Sequence, residues 1–276
     1  TQCALQWQPG TAPAAVNGAL GSQGFIYAER MWDPDGPGPA TAVLVVGGQF
    51  TSAGGVSARN IAAYNPVTGA WLAFGSGTNS PVRALTVLSS GQLVAGGDFS
   101  TASGLPVNRI AAWNGASWSG LGVGITSFGN PQILALGALP NGGLVAGGFF
   151  SSIGGTVASG IARWDGVSWS ALGPAGSGAG NGVYSIAVRP NGDVIVGTPV
   201  TLEEWNGVAW SSLGTLIQGP SSRVSALTIA SNGDLLAAGQ FTSINGTSVN
   251  RVARWNGSTW SALGSGSSVD VDAVAE

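Results

Sequence analysis

Acid/base and nucleophilic chemistry need side chains of the right kind held within reach of one another, and this sequence supplies few of them. It contains no His and no Lys, nine Arg, twelve Asp or Glu and a single Cys. A His general base, a Lys Schiff base and a His-ligated zinc are thereby excluded. One Cys, Cys3, excludes an internal disulfide and a Cys-x-x-Cys metal site. Glycoside hydrolysis ordinarily asks for two carboxylates ~5–9.5 Å apart. Glu203 and Glu204 are adjacent in a strand-like run, where alternation sends them to opposite faces. Asp33-Pro34-Asp35-Gly36 offers oxygen ligands but lacks the remaining positions and distal Glu of a calcium loop, so a plain turn is expected. No metal site and no cofactor are expected. Asn245-Gly-Thr and Asn256-Gly-Ser fit the glycosylation sequon, although Asn256 falls in a turn that Asn114 and Asn206 also fill.

Charged residues make up 8% of the 276 positions and the net charge is −3, with no basic stretch to neutralise phosphates, so no nucleic-acid partner is expected. No window of about 18 residues is apolar enough to span a membrane, and Thr1-Gln2-Cys3 does not begin a signal peptide. A soluble chain is expected, with any export signal already removed.

The elements that must position whatever chemistry exists are repeats. WNGASW (Trp113 to Trp118), WDGVSW (Trp164 to Trp169), WNGVAW (Trp205 to Trp210) and WNGSTW (Trp255 to Trp260) are one motif, and YNPVTGAW (Tyr64 to Trp71) is a looser copy. Their closing Trp residues are 118 − 71 = 47, 169 − 118 = 51, 210 − 169 = 41 and 260 − 210 = 50 positions apart. That is the period of a four-stranded propeller blade. Each unit divides into four strand-like runs a to d, joined by an SSGQ- or PNGG-type turn (a/b), a loop such as GGQFTSAGG or GGDFSTASG (b/c) and an Asn-Gly or Asp-Gly turn (c/d). If Gly115-Ala116 forms a II′ turn, Trp113 and Trp118 stand opposite; if Asn114-Gly115 forms a I′ turn, Trp118 faces Ala111. Either register puts both rings on one face, where packing between neighbouring blades is expected of them. Phe50, Phe99, Phe150 and Phe241 are expected to anchor the b/c loops. The fourth unit runs VIVGTPVTLEEW without such a loop and should leave a notch in the rim.

The combined pattern GGxFTxxGGxxxxxIAxWNGxxWxxLG resembles the kelch-like and delta-60-type propeller repeats of secreted bacterial proteins, and fungal Rax2-type surface proteins are similar. The resemblance covers roughly residues 24 to 264 and implies an all-β fold, a β-propeller of about five four-stranded blades, in a chain that is secreted or at the cell surface. It implies no catalytic residue. The whole chain, 1–276, is expected to form one domain, with repeats at 24–75, 82–122, 132–173, 183–214 and 223–264. Residues 3–10, CALQWQPG, look like a strand d with Trp7 in the Trp position, and residues 268–276, SVDVDAVAE, look like a strand a. Two arrangements are open: five blades with terminal extensions, or six positions with one partial blade. In the second, unpaired edges invite strand addition by another chain, the plain alternative being a terminus folded against its own ring.

The a strands line the central channel and contribute Glu29, Arg30, Arg83 and Tyr184 but no pair of carboxylates. A non-catalytic extracellular structural or interaction module is the leading expectation, self-associating or binding another extracellular protein. The candidate assembly strands contain Leu5 and Trp7 at one end and Val269, Val271 and Val274 at the other. A carbohydrate-binding propeller is the alternative, with an exposed aromatic stacking on the sugar; Trp32, Phe128 and Phe149 are the aromatics least explained by the repeat. An enzyme using Glu29, Arg83 and Tyr184 at the channel mouth is a weaker third.

Overall fold

Short apolar runs bounded by Gly, Asn and Ser favour strands over helices, because each run is too short for a helix and each boundary favours a turn. A computed structural model describes residues 24–36, 38–127, 129–173, 182–217 and 222–274 of the chain, and among them there are strands and turns and no helix. Leu5, Trp7 and Phe128 lie outside the described residues.

The architecture is a β-propeller. Its blades are antiparallel meanders a-b-c-d. In the first blade the strands are Phe25–Trp32, Val43–Gln49, Ile61–Tyr64 and Trp71–Ala73. The second has Val82–Val87, Leu93–Gly97, Ile110–Trp113 and Trp118–Gly120, and the third Gln132–Ala138, Leu144–Phe149, Ile161–Trp164 and Trp169–Ala171. The fourth has Ser185–Val188, Val194–Gly197, Thr201–Trp205 and Trp210–Ile217, and the fifth Arg223–Ile229, Leu235–Gln240, Val252–Trp255 and Trp260–Ala262. The a strands of consecutive blades pack along one another, but no comparable packing joins that of the fifth blade to that of the first.

Two devices hold neighbouring blades together. The first is a hydrogen bond from the strand-d indole to the main chain that leaves the preceding blade. Trp118 Nε1 donates to Phe74 O (3.2 Å), Trp169 to Leu121 O (2.8 Å), Trp210 to Leu172 O (3.1 Å) and Trp260 to Leu213 O (2.8 Å). In each case the acceptor lies three residues beyond the preceding strand-d Trp. The ring of each strand-c Trp leans on its strand-d neighbour at 5.3–5.5 Å. Trp71 has its tilted partner, Tyr64, at 5.3 Å, but its indole N–H meets no acceptor among the described residues.

The second device is a glycine socket on strand b. A Cβ on Gly47 would lie 2.6 Å from Val82 Cγ1, one on Gly147 2.5 Å from Val183 Cγ1, and one on Gly197 2.6 Å from Val224 Cβ; one on Gly96 would strike Ile133. Each contact is with the following blade or the segment entering it, so these glycines serve close approach rather than chain flexibility. By the pairing of Ala28 with Gly47 and of Ala226 with Ala238, the fifth blade has Ala238 at this place.

The turns follow from local chemistry. Trp113 stands opposite Trp118, Gly115 has φ +99°, and Asn114 Oδ1 accepts the N–H groups of Ala116 and Ser117 at 2.9 Å, so Gly115-Ala116 are the central residues. Asp165 plays the same part in the third blade, and the N–H groups of Ser168 and then Val167 hold its carboxyl below the usual carboxylate value. The b/c loops form small hairpins over buried Phe50, Phe99, Phe150 and Phe241, and Ala102, Ile153 and Ile244 in three of them pair with the linker leaving the preceding blade, at Thr78, Ile125 and Leu216. In the fourth blade Thr198-Pro199-Val200-Thr201 replaces the hairpin, closed by Thr198 N–H to Thr201 O at 3.0 Å. The rim has its notch there.

Two expectations require correction. Trp32 is 6% exposed: its Nε1 donates to Gly91 O of the second blade (2.9 Å) and its ring lies 5.8 Å from that of Phe74, so it packs a blade junction and does not face a ligand. Among the described residues, 268–274 form no paired strand, so Val269, Val271 and Val274 stand in no ladder there. Side chains tie that tail to the ring instead, through Asp270 to Arg251 and Asp272 to Arg223.

The socket makes a direct prediction. Gly47→Ala should lower stability by about 1–3 kcal/mol through overpacking, read as a shift in the urea midpoint, whereas Ser261→Ala on the exposed outer strand should stay within ~0.5 kcal/mol.

Candidate functional site at the channel mouth

Four of the a strands carry a register shift near their first residues, between Ile26 and Ala28, Val82 and Ala84, Ile133 and Ala135, and Val224 and Ala226. The extra residue of each β-bulge is set apart from the ladder and its side chain is re-aimed. The bulged residues are Tyr27, Arg83, Leu134 and Ser225. Tyr184 holds the same place in the fourth blade, immediately before the Ser185–Gly197 pair. One residue per blade is thus presented at the loop-side end of the channel.

Charge at this mouth is paired. Arg83 forms a bidentate contact with Asp98, Nε to Oδ1 at 2.8 Å and Nη2 to Oδ2 at 2.7 Å. Hydrogen bonding to Asp98 is the first cause that raises the guanidinium pKa. The same guanidinium sits 5.0 Å over the ring of Tyr27 in the first blade, and the Tyr27 hydroxyl donates to Gln49 Oε1 at 3.4 Å. On the other side, Phe149 meets Tyr184 edge-on at 5.4 Å and 89°, and Arg223 lies 6.0 Å over the Tyr184 ring. Arg223 also donates to Ser225 Oγ (3.1 Å) and Gln240 Oε1 (2.9 Å). A Cβ on Gly182 would run into the Phe149 ring, so glycine there makes room for the aromatic pair.

The C-terminal tail reaches the same region. Asp270 accepts from Gln240 Nε2 and from Arg251 Nε, and Asp272 Oδ1 lies 3.5 Å from Arg223 Nη2. The Gln240 and Arg251 hydrogen bonds hold the Asp270 carboxyl below the usual carboxylate value.

The structure therefore brings Arg83, Phe149 and Tyr184 to the mouth and leaves Glu29 and Trp32 away from it. Glu29 pairs with Val46 two residues beyond the bulge, in the column of Leu85, Leu136, Ile186 and Leu227, and is exposed on the face that a preceding blade would cover. The trio Glu29, Arg83 and Tyr184 is not one cluster, and the carboxylate at Arg83 is Asp98. Glu203 accepts from Thr201 Oγ1 (3.1 Å) and Glu204 pairs with Arg189 (2.5 Å), each within the fourth blade. Asp33 and Asp35 accept main-chain N–H groups of their own turn. The sequence contains the signal for the mouth in the differing column Tyr27, Arg83, Leu134, Tyr184 and Ser225, but Asp98, Arg223 and the two tail carboxylates join it only through tertiary contacts.

Residues 37–119 match the family model of the Rax2 C-terminal beta propeller domain, and residues 230–258 match a beta-propeller domain of unknown function. No curated protein matches the chain. Two similar solved structures are the extracellular domains of a putative one-component system and of a putative hybrid two-component system from B. thetaiotaomicron, each 11% identical, with TM-scores of 0.49 and 0.48. Each match covers 71% of this chain, and the chain spans 24% of the length of each.

The tail contact is pH-dependent with a defined sign. A carboxyl whose folded pKa is depressed binds its proton more readily in the unfolded chain, so the contribution of Asp270 is complete above the ordinary carboxylate range and is lost as the pH falls below that range and through its depressed folded value. Backbone NMR of residues 265–274 should show the tail bound at neutral pH and released toward about pH 2, and Asp270→Asn should release it at neutral pH.

Proposed function

We propose that this chain is a non-catalytic interaction module that works outside the cell and engages a protein, either a second copy or another extracellular chain, at the loop-side mouth of its channel. One observation carries this: the framework repeats the same glycines, phenylalanines and tryptophans from blade to blade, while the bulge column differs at nearly every blade, reading Tyr27, Arg83, Leu134, Tyr184 and Ser225. Framework residues are fixed by packing, whereas a varied ring of side chains that reach solvent in part, with Tyr27 exposed and the other four half-buried, on a rigid mount is how a scaffold addresses a partner. Pairing of Arg83 with Asp98 and of Glu204 with Arg189 favours recognition over proton transfer, since a general acid or base must be free to exchange its proton. The low charge of the chain offers little repulsion between copies. Composition and the resemblance to repeats of secreted proteins support the extracellular placement.

A second reading, a carbohydrate site, rests on Phe149, Tyr184 and Arg223, which are grouped beside the blade that lacks its b/c hairpin. An aromatic edge with a guanidinium is a common way to hold a sugar ring. Sedimentation over a wide concentration range and a glycan array separate the two. Self-association that weakens tenfold or more in Tyr27→Ala and Tyr184→Ala, with an unchanged urea midpoint, fits the leading proposal. A monomer at every concentration with saturable glycan binding lost in Phe149→Ala selects the second.

A further inference from the structure

The linker that leaves the fifth blade has the same geometry as the linkers that lead from one blade into the next. After the first blade, Gly77 N–H bonds Phe74 O (3.0 Å) and Thr78 N–H bonds Arg59 O (3.1 Å); after the fifth, Gly266 N–H bonds Leu263 O (3.0 Å) and Ser267 N–H bonds Asn250 O (2.9 Å). After the second, Asn108 Nδ2 donates to Val123 O (2.9 Å) and Ile125 N–H to Asn108 O (2.9 Å), matched by Asn250 Nδ2 to Ser265 O (2.7 Å). Gly77, Gly124 and Gly266 have φ of +75°, +68° and +69°. Arg109 reaches across to Pro131 O, where the third blade begins, and Arg251 reaches to Ser267 O and Asp270. The fifth blade therefore hands the chain on as the first and second do.

Beyond this linker the chain reads Val271-Asp272-Ala273-Val274, the pattern of Val82-Arg83-Ala84-Leu85 and Val224-Ser225-Ala226-Leu227. Val271 and Val274 are half-buried, and the main-chain groups of 270–274 make no hydrogen bond among the described residues. Ala238 stands where the other blades have the socket glycine. Across the gap that the described residues leave between the fifth and first blades, the first blade shows the complementary half of a junction. Ile26 is 37% exposed where Val82, its counterpart in the second blade, is fully buried; Met31 is 53% exposed, and the Trp71 indole N–H is without an acceptor among the described residues.

We propose that the space after the fifth blade is a sixth blade station in which residues 268–274 are the innermost strand, and that it takes up a strand of another polypeptide by antiparallel strand addition. The chemistry of the partner is set by the strands that fill this role elsewhere, LVAGG at Leu93–Gly97 and at Leu144–Gly148: uncharged, apolar, and ending in glycine. Glycine opposite the bulge is required because a Cβ on Gly48, Gly97, Gly148 or Gly239 would strike a main-chain carbonyl oxygen, that of Phe25, Pro81, Gln132 or Arg223. The surface continues the series of established blade junctions, which sets its preference for a β-strand partner over a globular face. This goes beyond the mouth proposal and does not depend on it.

The test uses the full chain and, as probe, a synthetic peptide with the sequence of residues 91–114, which carries strands b and c of the second blade. Hydrogen exchange at the amides of 270–274 is the readout. In the free chain they should exchange freely, and saturating peptide should slow them at least tenfold, whereas a peptide with Gly97→Val or a chain lacking 268–276 should show no specific binding. A second arm joins the same 24 residues (114 − 91 + 1) to the C-terminus through a flexible linker, so that weak affinity alone cannot hide the effect. Amides 270–274 already protected in the free chain, or unprotected in the fusion, would overturn the proposal. Equal protection by the Gly97→Val peptide would do the same.

Discussion

Everything in this molecule depends on a bond between one indole N–H and one carbonyl, repeated at each blade junction. A blade alone is a four-stranded sheet with two apolar faces and cannot be stable in water. Trp118, Trp169 and Trp260 bury their ring at such a face, Trp210 half-buries its own, and all four use the polar edge to fix the ring's position on the preceding blade. A buried indole N–H left unpaired costs on the order of 1–3 kcal/mol, so the bond selects the register of the junction as well as supporting it. The glycine socket on strand b then lets the innermost strands close to van der Waals contact. These two features occupy the same positions in successive units, which is why the repeat is so strict there.

That strictness frees other positions. The bulge, present on four of the a strands, is a main-chain feature made possible by a glycine on the partner strand, and it is indifferent to the side chain it presents. The chain uses that indifference to set Tyr27, Arg83, Leu134, Tyr184 and Ser225 around one opening, and it neutralises the charge this creates by local pairs such as Arg83 with Asp98. Charged groups also pair away from the mouth: Asp234 and Arg254 do so on the fifth blade at the positions of Val43 and Ala63, on the side where no further blade stands among the described residues, and Glu204, at the same strand-c position of the fourth blade, pairs with Arg189.

Much of this was legible in the sequence for a physical reason. WNGxxW marks the strand-c and strand-d hairpin because two opposed Trp residues need a tight turn between them, and Gly115 supplies the positive φ. The missing loop of the fourth unit was visible as a 41-residue spacing. Trp32 misled because it lies outside the WNGxxW motif, yet the first blade uses it at its junction with the second. The tail misled in a different way. Its residues carry a strand pattern, but a pattern specifies a strand only if a partner strand is present, and no described residue offers one. Bulges and the Arg83–Asp98 and Arg223–Tyr184 contacts could not be read from periodicity, because they depend on register shifts of one residue and on neighbours about 15 or 40 positions away.

The most direct measurement of the central claim is hydrogen exchange of the tryptophan indole N–H groups, resolved by NMR. The account predicts slow exchange for Trp118, Trp169, Trp210 and Trp260, whose indoles are bonded across junctions, and markedly faster exchange for Trp71, whose junction has no preceding blade among the described residues. Uniform exchange across all five, fast or slow, would contradict it, since the indole-to-carbonyl bond would then not be what distinguishes a formed junction from an open one.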